Sequence, residues 1–98
     1  MSALNQTEIE TALQGLQGWE LVEQGTKLLR EIEFNDFRSA MAFLVRLSYE
    51  CEEMNHHPEI FNVYRTVRLG LNTHDVGGRV TEKDVQLASR INELLPSQ

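Results

Sequence analysis

The stretch FRSAMAFLVRLSYECEEMNHHP, residues 37–58, decides the architecture of this chain. Phe37, Ala40, Met41, Leu44, Leu47, Ser48 and Cys51 recur at i, i+3, i+4 and i+7, the period of a helix with one buried face. Phe43 adds an apolar shoulder to that stripe, and Asn35 or Asp36 can cap its start. The helix must end near His57, because a residue before proline is pushed out of the α region and Pro58 has no N–H to donate. Its last turn is expected to deliver Glu52, Asn55, His56 and His57 to one spot.

Upstream, Thr7 and Glu10 have the spacing of a capping box. Ile9, Ala12, Leu13 and Leu16 follow at helical period, and Gly18 sits where a left-handed cap would end the helix. From Trp19 to Phe34 the period changes. Glu20 to Glu23 reads as a short strand, Gly25 as the turn, and Leu28, Ile32 and Phe34 as one face of a second strand, with Arg30 the exception. Downstream of Pro58, Ile60 to Tyr64 and Val67 to His74 read as another strand pair, and Gly77-Gly78 marks a loop. Thr81 and Asp84 repeat the capping-box spacing ahead of Leu87, Ala88, Ile91, Leu94 and Leu95, the apolar face of a last helix.

The order is therefore α-β-β-α-β-β-α over a single domain, residues 1–98. It predicts an α+β fold in which a four-stranded antiparallel sheet carries three helices on one face. Ninety-eight residues allow one small core, to which burial at a subunit interface would add. A net charge of −6 repels phosphate backbones and anionic lipid, which argues against nucleic acid or membrane as the main partner. No apolar run approaches the length of a membrane span, and the first residues lack the pattern of a secretory signal. One cysteine, Cys51, excludes an internal disulfide and fits a cytoplasmic location.

The chemistry-bearing residues concentrate in the second half. His56-His57 close the long helix and His74 closes the last strand, so a tight hairpin between them would bring the three imidazoles together. Imidazoles both donate and accept protons near neutral pH, which suits general acid-base work. The competing reading is that His56-His57 merely favour the negative end of a helix dipole. Zinc would need a fourth ligand from Cys51, Glu52 or Glu53, and adjacent histidines point apart, so the spacing disfavours a metal. Trp19 is either a lid over a planar ligand or an anchor at the core's edge.

The run Glu52-Glu53-Met54-Asn55-His56-His57-Pro58-Glu59, then Tyr64, Thr73-His74-Asp75, Gly77-Gly78 and Asp84, resembles the pterin-4a-carbinolamine dehydratase family. The resemblance extends through Gly18-Trp19 and Phe34-Asn35-Asp36-Phe37 and reaches Leu87-Ala88 and Ile91. Two departures stand out: the loop from His74 to Asp84 is one residue longer than is usual in the family, and Asn55 occupies a position where aspartate is common. The resemblance implies a hydro-lyase that removes water from a 4a-hydroxytetrahydropterin to give the quinonoid dihydropterin, with neither metal nor organic cofactor. It implies His56, His57 and His74 as the acid-base residues, with Glu52, Asn55, Trp19 and Asp84 binding or bounding the substrate. It also implies a homodimer or homotetramer and, as a second role, partnership with a transcription factor.

Overall fold

The computed structural model describes residues 2–95. Its elements run α1 (Gln6–Leu13), β1 (Glu20–Val22), β2 (Lys27–Glu33), α2 (Phe37–Met54), β3 (Glu59–Val63), β4 (Thr66–Leu71) and α3 (Glu82–Leu94), with a short 3-10 turn at His74–Val76. The four strands form one antiparallel sheet, as the sequence predicts, and their order in it is β1-β2-β4-β3.

Period-two alternation sets which face of the sheet is covered. Leu28 and Ile32 on β2 lie opposite Leu71 and Val67 on β4, and these residues with Leu69 are buried under the helices. The other face presents Glu31, Glu33 and Arg68 to water. There Lys27 of β2 reaches across β4 to Glu59 of β3, 2.6 Å away, directly over Gly70. A Cβ on Gly70 would lie 3.0 Å from that carboxylate, so the missing side chain makes room for the crossing pair.

Several sequence expectations need correction. The first helix is capped two residues earlier than Thr7: Asn5 Oδ1 accepts from the Glu8 N–H at 2.8 Å and Glu8 returns the bond at 2.9 Å. Both spacings satisfy the capping-box rule, and the Asn5 box prevails. Phe43 is no shoulder but the middle of the core, 1% exposed and 5.2 Å from the Phe34 ring, which is worth roughly 1.5–3 kcal/mol of apolar burial. Phe37, Val45 and Tyr49, spaced at four and eight residues along α2, instead face outward at 46%, 58% and 73% exposure. The last strand stops at Leu71, three residues short of His74, where the chain leaves the sheet for the 3-10 turn.

Arg30, the polar exception on the inner face, has a structural answer. Its guanidinium donates to the Gln17 carbonyl at 2.8 Å and to Asn92 Oδ1 at 2.5 Å, and Trp19 Nε1 donates to the same Asn92 oxygen at 2.9 Å. Three elements are thereby tied at the C-terminal end of α3. Burial holds the Arg30 guanidinium below its ordinary value.

Candidate active site

The site begins where α2 stops. Asn55 takes a left-handed conformation (φ 51°, ψ 47°) as the C-cap, a conformation asparagine tolerates better than most residues. The His56 N–H then donates back to the Cys51 carbonyl at 3.0 Å, which closes the helix end. His56 and His57 therefore lie just beyond the helix, in extended chain leading to Pro58 and β3, rather than in its last turn. Because Glu59 pairs with Gly70, this corner sits beside the end of β4 and the residues that follow it.

After β4, Thr73 bridges Arg79: the Thr73 N–H donates to the Arg79 carbonyl at 2.8 Å, and the Gly78 N–H donates to the Thr73 carbonyl at 3.1 Å. Gly77 and Gly78 both have positive φ, 77° and 74°, which lets the chain reverse this tightly. The loop from His74 to Asp84 thus folds back on Thr73 and delivers Thr81 and Asp84 beneath it.

Asn55, His56, His57, Asn72, Thr73, His74, Asp75 and Lys83 line a cleft of about 290 Å³ at this junction. The three histidines are held differently. His56 is 8% exposed, and its Nε2 lies 2.5 Å from Oδ1 of the fully buried Asp84. His57 is exposed, with Nε2 2.7 Å from Glu52 Oε2. Water screens that pair, so it contributes orientation more than stability. His74 opens the 3-10 turn, exposed at the cleft, and its ring makes no side-chain hydrogen bond among the described residues. One imidazole is locked, one steered and one free.

Asp84 has three polar partners. Besides His56 on Oδ1, its Oδ2 accepts from Thr73 Oγ1 and from the Thr81 N–H, each at 2.8 Å. A buried carboxylate is stable only with such satisfaction, and Asp84 has it. The Thr81–Asp84 capping box expected from sequence is present, and the same carboxylate that caps α3 also holds His56.

Glu52, Asn55, His56, His57, His74 and Asp84 are thus brought together. Trp19 is not among them: it is 6% exposed, bonded to Asn92, and lines no part of the cleft, so its anchor reading is the one the geometry matches. Thr73, Asn72, Asp75 and Lys83 are lining residues that sequence reasoning did not assign. The clue to Lys83 was its place beside Asp84 in the first turn of α3, and the clue to Thr73 was its place next to His74. Cys51 lies buried in the core, where burial pushes its thiol up and makes it a poor nucleophile.

A larger depression of about 580 Å³ lies on the open sheet face around Phe61 and Arg68. Its charged groups are occupied with one another, Lys27 with Glu23 and Glu59, and Arg68 with Glu31 and the Phe61 ring. It contains no imidazole, so proton-transfer chemistry points to the smaller cleft.

Comparison with known proteins bears on the family of the chain. The family model for pterin 4 alpha carbinolamine dehydratase matches residues 2–94. A protein of Opitutus terrae named "Putative pterin-4-alpha-carbinolamine dehydratase" is 45% identical over 93% of this chain and 92% of its own length. A Burkholderia vietnamiensis protein of the same name is 42% identical over 93% and 88%. Among solved structures, a transcriptional coactivator/pterin dehydratase from Brucella melitensis superposes with a TM-score of 0.92 at 34% identity, covering 97% of this chain and all of the other. A pterin dehydratase-like RuBisCO assembly factor of the alpha-carboxysome shares the fold, with a TM-score of 0.70 at 24% identity over 84% of this chain and 94% of the other. With the family match running almost end to end and the histidine-bearing corner inside it, this chain belongs to the pterin 4 alpha carbinolamine dehydratase family.

Proposed function

We propose that this protein dehydrates a 4a-hydroxytetrahydropterin to the quinonoid dihydropterin by general acid-base catalysis. The observation that carries the reading is the cleft itself, where three imidazoles in three different settings line one polar hollow. In the reaction the C4a–O bond breaks and the hydroxyl leaves as water, which requires an acid at that oxygen. The N5 lone pair drives expulsion, and a base then takes the N5 proton. Proton transfer and orientation are all the protein need supply.

His56 and His74 form the acid-base pair in this proposal. His57, steered by Glu52, orients the ring and shares the proton load. Asp84 holds His56 in place, and Asn55 lines the substrate's approach. The test is to generate the 4a-hydroxypterin in situ and follow its loss spectroscopically, with and without the protein. Acceleration is expected, and none would overturn the reading.

We further propose a cytoplasmic homodimer or homotetramer. Two features support self-association: the edge strand β3 with its exposed Ile60, Phe61 and Val63, and the outward stripe Phe37, Val45 and Tyr49 on α2. The α2 stripe also favours a second reading, an interaction module that docks a transcription regulator. Binding by such a regulator that survives loss of all three imidazoles would separate it from the enzyme reading. No described helix is long and apolar enough to cross a membrane.

A further inference from the structure

The hydroxyls beneath the cleft fix more than the position of Asp84. Thr73 Oγ1 lies 2.8 Å from Asp84 Oδ2 and 2.7 Å from Thr81 Oγ1. Thr73, Thr81, Asp84 and His56 are all buried. A hydroxyl has one proton to give. Thr73 gives its proton to Asp84, so in the other contact its oxygen accepts and Thr81 is the donor. The Thr81 N–H also points at Asp84 Oδ2. The Thr81 hydroxyl is thus directed at Thr73, and the Thr73 hydroxyl and Thr81 N–H at the carboxylate, which must accept from His56 as well. The proton in that last bond belongs to Nε2.

We propose that the Thr81–Thr73 hydroxyl pair is a positioning relay that fixes neutral His56 as its Nε2–H tautomer. Nδ1 is then the ring's one proton-accepting atom, and it has no protein partner among the described residues. Thr73 is the informative member of the relay. It lies outside α3, and the cap of that helix is complete through the Thr81 N–H without it. Removing its hydroxyl frees Thr81 to donate elsewhere and lets the carboxylate rotate. The tautomer assignment stands independently of the reaction, whereas its kinetic consequence rests on the proposed dehydration.

The test combines long-range proton–nitrogen NMR of histidine-labelled protein with turnover of the in situ 4a-hydroxypterin. In the native protein, neutral His56 should carry its proton on Nε2. Thr73→Val should give a mixture of the two tautomers and lower kcat about tenfold, within the range of acid-base contributions. KM should be unchanged, and Thr73→Ser should restore both readouts. If Thr73→Val does not fold, Thr73→Ala removes the same hydroxyl and is read the same way. A native His56 protonated on Nδ1, or a hydroxyl-less variant that keeps the native tautomer, overturns the relay. A native protein with the expected tautomer but no turnover would overturn the proposed function and leave the relay standing.

Discussion

His56 and Asp84 are 28 positions apart in the chain and 2.5 Å apart in space, joining the end of one helix to the first turn of another. The contact ties the geometry of the cleft to the fold. Asp84 caps α3 through Oδ2 and holds an imidazole through Oδ1, so one carboxylate serves both roles.

Asp84→Asn tests this directly. An amide can present an acceptor to only one of its two partner sets, so either His56 or the Thr73–Thr81 pair loses its acceptor. Turnover should fall by about 10²-fold or more, by analogy with other histidines deprived of a buried carboxylate. Asp84→Ala should in addition cost roughly 1–3 kcal/mol of stability, because buried donors are left unmatched. Steady-state kinetics and urea denaturation measure the two effects separately.

Trp19→Phe should separate anchor from lid. Losing the indole N–H to Asn92 should lower stability by about 1 kcal/mol while KM for the pterin stays within twofold. A KM raised tenfold with stability intact would return Trp19 to the pocket.

Charged substitution of the β3 edge should dissociate an oligomer without unfolding its subunit. Phe61 and Val63 are about half exposed, so Phe61→Lys with Val63→Lys should shift sedimentation toward the monomer. In contrast, Phe43→Ala in the core should cost roughly 3–5 kcal/mol.

The α2 cap gives a pH dependence. Asp36 accepts from the Ser39 N–H at 2.7 Å, and that bond holds its carboxyl below its ordinary value of 3.8. Since the folded value is the lower one, the stabilisation is complete above the unfolded value and disappears as pH falls through the folded one. The difference in Tm between the native protein and Asp36→Ala should be constant above about pH 5 and shrink in stronger acid. A difference that grows on acidification would contradict the cap.

Much of this was legible in the sequence because periodicity reports local geometry. The element order, the turn at Gly25, the buried faces of β2 and β4 and the Thr81–Asp84 box all follow from spacing alone. The Thr7–Glu10 spacing led the sequence reading to the wrong box, since it satisfies the same rule as the Asn5–Glu8 pair that forms. Phe43 was misplaced because the buried stripe of α2, Ala40, Phe43, Leu47 and Cys51, is rotated from the expected one and leaves Phe37 and Ser48 exposed. The bond between Asp84 and His56 has no periodic signature. It depends on how the Gly77-Gly78 loop folds back on Thr73, which spacing does not encode.

The central claim is that the imidazoles of this cleft carry the proton transfers of pterin dehydration. The most direct measurement follows the decay of in situ 4a-hydroxytetrahydropterin with native protein, His56→Ala and His74→Ala, each checked for native circular dichroism. Native protein should accelerate the decay, and each variant should lose roughly 10²-fold in turnover with its fold intact. Full activity in both variants would contradict the account.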